Sequence, residues 1–118
     1  MKAEDLLSIG KKPPIEVDVE GAGKVFMRQP NGAEFESLFA EWAAGVQKHR
    51  LEGRGEDDFR PSRQFMTKAI QMMVSNEKGD RLFENQEQAG ELSPKVFQAL
   101  FVAAITEFMK MGDIEKKD

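Results

Sequence analysis

The sequence predicts an α+β domain in which an N-terminal β-hairpin packs on a bundle of three to four helices. One stretch near the N-terminus alternates apolar and acidic residues, which is the period of a half-buried strand. Later segments repeat their apolar residues every three or four positions, the period of an amphipathic helix. Strands followed by helices are typical of α+β proteins. The 118 residues fit one domain, expected at residues 13–112, between a flexible segment, 1–12, and a polar tail, 113–118.

The hairpin is predicted for residues 15–27. Residues 15–19 carry the alternation, Gly21-Ala22-Gly23 supplies a turn, and Val25-Phe26-Met27 continues as the second strand. Because an isolated two-stranded hairpin is marginally stable in water, its apolar face must lie on helices. Before the hairpin, residues 3–9 form either one or two helical turns or a frayed end.

The strongest helical pattern follows Asn31. Asn31 and Glu34 have the spacing of a capping box, in which each side chain accepts a hydrogen bond from the other residue's backbone N–H. The alternative, a hairpin turn at Asn31-Gly32, is disfavoured by the helical spacing behind it. The apolar residues that repeat through this helix, with the three aromatic ones expected in the core, are Phe35, Leu38, Phe39, Trp42, Ala43 and Val46.

Residues 47–60 are charged and glycine-bearing and show no period, so we predict a surface loop there. His49, the sole histidine, is expected to be a solvated residue where this loop begins. Pro61 or Ser62 then begins a third helix. Its broad apolar face comprises Phe65, Met66, Ala69, Ile70, Met72, Met73 and Val74.

The segment before the last helix is predicted to consist mostly of turns. Residues 76–80 form a polar turn, and Leu82-Phe83 is expected to return to the core. Asn85 and Gln88 have the spacing to cap a brief helical turn that ends at Glu91.

A phenylalanine-rich helix closes the chain. Ser93 is its expected N-cap and Pro94 its first residue, and Gly112 is expected to end it. Val102 and Met109 lie off the main apolar face of this helix. That face comprises Phe97, Leu100, Phe101, Ala104, Ile105 and Phe108.

The composition argues against most chemistry. A net charge of −4 and a pI of about 5.1 give no overall attraction for nucleic acid. With no cysteine and one histidine, we expect no metal site. The sequence also lacks the motifs of dinucleotide-binding loops, phosphate-binding loops and nucleophilic serines. No apolar run is long enough to span a bilayer, and no secretory leader is recognisable. We therefore expect a non-enzymatic domain without a cofactor and without a membrane partner.

The third and last helices carry more apolar residues than a one-sided core needs, which is typical of a binding surface. Methionine adapts to varied partners. For any single residue, a place in the core is the alternative, and Val102 and Met109 are expected to be more exposed than Phe97, Phe101 and Phe108. The candidate partner-binding residues are Met66, Ile70, Met73, Phe97, Phe101, Val102, Phe108 and Met109.

A cluster of basic residues suggests an alternative function, that of a small nucleic-acid-binding regulator that would use the 47–63 loop. Four acidic residues interleave with the basic ones and weaken any attraction for phosphate. A solvated loop is therefore the favoured interpretation. The basic residues are Lys48, Arg50, Arg54, Arg60 and Arg63.

The order of these segments resembles the tail assembly chaperones of long-tailed bacteriophages. The resemblance covers roughly residues 13–112 and rests on several short motifs in sequence. They are the extended Ile15-Glu16-Val17-Asp18-Val19, the glycine turn, Lys24-Val25-Phe26-Met27-Arg28, a helix led by Glu34, Glu77-Lys78-Gly79-Asp80-Arg81-Leu82-Phe83, and Ser93-Pro94 before the phenylalanine-rich helix.

The resemblance implies a specific role in the host cytoplasm. Such proteins bind the long tape measure protein, keep it soluble until tail tube protein polymerises around it, and are absent from the finished virion. Many are made in two forms, the longer arising by a ribosomal frameshift near the end of the shorter, and the extension recruits tail tube protein. Lys116-Lys117 can be encoded by the adenine-rich run that such slippage needs. The resemblance carries over no individual site residue.

Overall fold

Eight elements make up the part of the chain that this computed structural model describes, residues 2–8, 13–53 and 59–116. They form the α+β fold that the sequence predicts, with a three-stranded antiparallel sheet beside helices. In chain order the elements are α1 (Ala3–Ser8), β1 (Ile15–Val19), β2 (Gly23–Met27), α2 (Gly32–Leu51), α3 (Arg63–Met73), β3 (Val74–Ser75), α4 (Gln86–Gly90) and α5 (Pro94–Lys116).

The predicted hairpin is confirmed, and a third strand joins it. β1 pairs with β2 so that Val19 lies opposite Gly23. In the turn between them Gly21 has a φ of 89°, a left-handed conformation that glycine adopts without steric cost. β3 pairs with the other edge of β2, with Val74 opposite Met27. The prediction that Val74 continues the third helix was wrong, because the backbone becomes extended at that residue and pairs with the last two residues of β2.

The predicted helix starts are confirmed. Asn31 Oδ1 accepts the Glu34 N–H at 2.9 Å, and Glu34 Oε1 accepts the Asn31 N–H at 2.9 Å. Ser62 and Asn85 likewise accept hydrogen bonds from the backbone N–H three residues on. α5 begins at Pro94. These side chains satisfy N–H groups that a helix start otherwise leaves unpaired, so the local sequence fixes where the helices begin.

α2 is longer than predicted. It continues through residues 47–51, so the predicted surface loop was wrong for them. The basic residues of this last turn suit the negative end of the helix dipole. The chain leaves the helix at Gly53, which takes a left-handed φ of 76° and donates its N–H to the Arg50 carbonyl at 2.9 Å. Residues 54–58 of the predicted loop lie outside the described residues.

α3 is the central helix of the fold. It contacts α2, α4 and α5, and this explains its broad apolar face, since several neighbours cover it. Leu82, beyond β3, is 52% exposed, whereas Phe83 packs against the core, so half of the predicted return to the core is correct. The buried core comprises Val19, Met27, Leu38, Phe65, Ala69, Ile70, Met72, Met73, Val74, Ala89, Phe97, Leu100, Phe101, Ala104 and Phe108.

α5 continues through Gly112, where the sequence predicted its end. Residues 113–116, predicted as a polar tail, belong to the helix, and residues 117–118 lie outside the described residues. The prediction was wrong because one glycine inside a helix costs only about 1 kcal/mol. Such a cost does not end a helix of this length when no proline follows.

Candidate functional site

The structure divides the eight predicted partner-binding residues into two groups. Met66 is half-buried, Val102 is 50% exposed and Met109 is 37% exposed. The other five belong to the core and offer a partner no surface in this fold, because α3 and α5 press their main apolar faces against each other. These five are Ile70, Met73, Phe97, Phe101 and Phe108. The expected difference in exposure along α5 is confirmed.

We define the apolar strip as Phe35, Phe39, Val102, Ile105 and Met109, the apolar residues of α2 and α5 that lie at the edge of the core or outside it. Phe39 is 49% exposed, which contradicts its predicted place in the core. Phe35 and Ile105 are half-buried and pack against the core from its edge. The strip thus comprises partly exposed apolar side chains of two helices that meet at Phe35 and Phe108.

Ring contacts show how the two helices meet. The rings of Phe35 and Phe39 stack with centroids 6.3 Å apart and planes 14° from parallel. The Phe35 ring also lies 5.0 Å from that of Phe108, which is buried on α5. Phe35 therefore bridges an exposed ring of α2 to the core of α5, and an open groove of about 490 Å³ lies beside it, between Phe39 and Pro30.

The helical repeat places the α5 part of the strip on one flank of that helix. Successive helical residues are about 100° apart, so Val102, Ile105 and Met109 share one flank of α5. Val96 lies on the opposite flank, against the hairpin turn. Phe108 points between the two flanks and meets α2. Val102, Ile105 and Met109 therefore form one apolar flank of α5, next to the buried row that includes Phe108.

The Glu34 carboxylate holds α2 in the position that creates this strip. Arg28 Nη2 lies 3.0 Å from Glu34 Oε1, and Arg28 Nη1 lies 3.3 Å from Oε2. The same guanidinium donates to the Met72 carbonyl at 2.7 Å, while the Arg28 backbone N–H donates to the Met73 carbonyl at 2.8 Å. Arg81 pairs with the other side of the carboxylate. Glu34 thereby joins the start of α2 to β2, α3 and the segment before α4.

This environment lowers the pKa of the Glu34 carboxyl. Burial alone raises that pKa, but hydrogen bonds from Arg28 and from the Asn31 N–H, the charge of Arg28 and a hydrogen bond from Arg81 outweigh it. Perturbed carboxyls are candidates for catalysis. Here the hydrogen-bond partners of Glu34 are the residues that connect α2 to its neighbouring elements, so its structural role accounts for the lowered pKa.

His49 occupies a different environment from the one predicted. It is buried on α2, with its ring edge-on to Phe59 at 5.6 Å between centroids. The prediction of a solvated loop residue was wrong because α2 extends beyond it. Trp42 is half-buried, and its ring meets the same Phe59 ring edge-on with centroids 5.0 Å apart. Both rings help line a concavity of about 280 Å³. Carboxylates and basic groups both border that concavity, so its charge favours no ligand class.

The described members of the predicted basic concentration have different surroundings: Lys48 and Arg60 border the concavity next to Phe59, and Arg50 is exposed on the last turn of α2. The Arg63 guanidinium lies 4.4 Å from the Phe97 ring centroid and donates to the Gly90 carbonyl at 3.1 Å. Arg60 donates to the carbonyl of its neighbour Phe59. Arg54 lies outside the described residues. The described arginines of the 59–63 region are thus engaged in holding their own segment.

Three further properties of residues 2–8, 13–53 and 59–116 bear on their chemistry. No group of three or more potential ligands in these ranges could hold a metal ion. Each buried side-chain nitrogen or oxygen there has a hydrogen-bond partner. None of the helices in that part of the chain has both the length and the hydropathy that crossing a bilayer requires.

The sequence pattern missed the α2 half of the strip. Phe35 and Phe39 are part of the strongest helical repeat, and such repeats normally mark a core face. The width of the apolar sector of α2 could have indicated that Phe39 is exposed. Phe39 lies at the edge of this sector, toward the side of α2 that carries exposed alanines and Glu36. An apolar sector that reaches so far around a helix exceeds what one neighbour can cover.

No protein-family profile, curated protein or solved structure matches the chain.

We predict that Glu34→Gln lowers the free energy of unfolding by roughly 1 to 3 kcal/mol at neutral pH, since it removes a charged acceptor from two arginines. Because the folded pKa of Glu34 is lowered, its contribution is complete above the ordinary glutamate pKa and is lost as the pH falls through the lowered value. Urea unfolding of the unmodified chain and of Glu34→Gln, from neutral to acidic pH, measures how the difference in their free energies of unfolding changes with pH. A difference between the two proteins that stays constant down to the most acid pH contradicts the assignment.

Proposed function

We propose that this chain is a non-enzymatic tail assembly chaperone of a long-tailed bacteriophage. It binds the tape measure protein in the host cytoplasm, promotes assembly of the tail tube around it, and is not part of the mature virion. The observation that carries the proposal is the apolar strip on α2 and α5. Exposed apolar side chains are what a binding protein needs, and the resemblance implies a protein that acts by binding.

The shape of the strip favours a helical ligand. The groove next to Phe35 and Phe39 is formed by α2 and the residues before it. An apolar helix flank beside a groove resembles the surfaces that receive amphipathic helices, whose apolar residues recur every three or four positions. Phe39, Val102 and Met109 are each between about one third and one half exposed. Covering them contributes roughly 1 kcal/mol each, a part of the 1.5 to 3 kcal/mol for a fully exposed side chain.

A modest affinity per domain suits a chaperone that must be released. A tape measure protein is long, so many copies of the domain can bind along it. Multiple weak contacts hold a polymer strongly in total, yet each is easily displaced. Tail tube protein polymerising along the tape measure protein would remove the chaperones one after another.

We predict that co-expression with this chain raises the yield of soluble tape measure protein, and that Phe39→Asp or Val102→Asp lowers that yield several-fold. A charge in the strip opposes burial of the apolar ligand. Ile15→Asp is the matched control, because Ile15 is similarly exposed at 47% but lies on β1, outside the strip. Phe101 and Met73 are unsuitable for this test because both are buried, and a charge there would disrupt the core.

Circular dichroism and thermal unfolding establish that the variants are folded. If folded Phe39→Asp and Val102→Asp both keep the tape measure protein as soluble as the unmodified chain does, the strip is not the binding surface. If the unmodified chain itself leaves its solubility unchanged, the proposed function is wrong.

The proposal assigns recruitment of tail tube protein to a longer, frameshifted form of the chain. We predict a slippery adenine-rich heptamer near the codons for Lys116-Lys117, followed by an overlapping reading frame. Mass spectrometry of infected cells should then find a longer product that shares the N-terminal peptides of this chain. A gene with no such heptamer and no overlapping frame contradicts the two-form part of the proposal.

A further inference from the structure

We propose that the groove beside Phe39 is a binding site for the guanidinium group of an arginine that the helical ligand carries. This inference rests on the proposed function for the identity of the ligand, and it deepens that function by naming a residue type that the ligand contributes. The site consists of the Phe39 ring as a platform and the Glu36 carboxylate as the opposite charge. Both residues line the groove of about 490 Å³ and belong to the second turn of α2.

The charge of the groove determines which class of ligand group it accepts. Of the described residues that line it, Glu36 alone is charged. Glu36 is exposed, and it makes no ion pair or hydrogen bond with another residue that the structure describes. An unpaired carboxylate beside apolar side chains attracts a cation and repels an anion. The other lining residues are Gln29, Pro30, Asn31, Gly32, Phe35 and Phe39.

The start of α2 does not reverse this preference. The first turn of a helix favours negative charge, but here the chain supplies that charge itself. Glu34 Oε1 accepts the Asn31 N–H at 2.9 Å, and Asn31 Oδ1 accepts the Glu34 N–H at 2.9 Å. These acceptors belong to the chain, so the groove keeps the negative charge of Glu36 for a ligand.

The aromatic surface of the groove favours a planar cation. Phe39 is 49% exposed, so part of its ring is open to a ligand, and the Phe35 ring stacks with it at 14° between planes. A guanidinium group stacks flat on an aromatic ring and donates two parallel hydrogen bonds to a carboxylate. The ammonium group of lysine is a compact point charge without this geometry. The groove therefore suits arginine better than lysine.

The spacing of the two residues lets one arginine reach both. Glu36 and Phe39 are three positions apart on α2, which places their Cβ atoms about 5 to 6 Å from each other. A cation interacts with a ring when it lies within about 6 Å of the ring centroid. One guanidinium group can therefore lie over Phe39 while its edge donates to Glu36. The methylene groups of the same arginine then lie against the apolar wall that Pro30 supplies.

This site adds selectivity to a surface that is otherwise apolar. Apolar side chains alone accept any amphipathic helix of suitable shape. The carboxylate favours a helix with an arginine at the edge of its apolar face, next to the residues that cover Phe39. It disfavours a helix with an acidic residue at that position, because like charges would then meet.

The test uses two synthetic peptides that form amphipathic helices and differ in one residue at the edge of the apolar face. One peptide has arginine there and the other has citrulline, which has nearly the same shape but no charge. Fluorescence anisotropy measures the dissociation constant of each peptide from the full chain. We expect the arginine peptide to bind about fivefold more tightly at low salt. This advantage should diminish as the salt concentration rises, and a lysine peptide should have an intermediate affinity.

Two variants of the chain show whether the advantage comes from this groove. Glu36→Gln removes the charge at an exposed position and should reduce the advantage of the arginine peptide to less than about twofold. Phe39→Leu keeps an apolar side chain but removes the ring, so it should reduce the advantage in part. Glu87→Gln is the matched control, because Glu87 is also exposed but lies on α4, outside the groove. It should leave the advantage unchanged.

Three results overturn the proposal. They are an arginine peptide that binds no more tightly than the citrulline peptide, an advantage that persists unchanged in Glu36→Gln, and a lysine peptide that equals the arginine peptide. Failure of the proposed function is measured separately, by the solubility of the tape measure protein on co-expression. A chain that keeps this protein soluble but shows no preference for arginine retains the proposed function and lacks the arginine site.

Discussion

The fold depends on one carboxylate, that of Glu34. It caps α2 through the Asn31 N–H and accepts hydrogen bonds from Arg28 and Arg81. Arg28 also donates to a carbonyl at the end of α3. The end of β2, the start of α2, the end of α3 and the segment before α4 therefore meet at one charged group that is only 12% exposed. Phe35 is the next residue, so the same joint determines where the apolar strip begins.

The strip follows from how α3 is enclosed. α2 and α5 both pack on α3, and each uses the centre of its apolar sector for this contact. When the apolar sector of a helix is wider than the area that the neighbouring helix covers, the apolar residues at the edge of the sector stay exposed. On α2 the remainder is Phe39, and on α5 it is Val102 and Met109, which are all considerably exposed. Exposed apolar residues on neighbouring helices are typical of surfaces that bind a partner.

Local signals in the sequence predicted local structure well. The capping box at Asn31 and the cap at Ser62 marked helix starts correctly because a capping hydrogen bond spans only three residues. The third strand and the burial of His49 were missed, since strand pairing and burial depend on residues distant in sequence. In the candidate site, Val102 and Met109 were predicted as exposed. Phe39 was not, because a helical repeat does not reveal how many neighbours a helix has.

Methyl nuclear magnetic resonance of the unmodified chain tests the central claim, that the strip on α2 and α5 is the binding surface, most directly. Met109 is exposed in the strip, whereas Met27 is buried in the sheet at 2% exposure, so the two methyl groups report on different regions. On titration with a helical segment of the tape measure protein, the Met109 and Val102 methyl signals should shift or broaden while the Met27 signal stays in place. Shifts that are absent from the strip but present on the sheet would contradict the account.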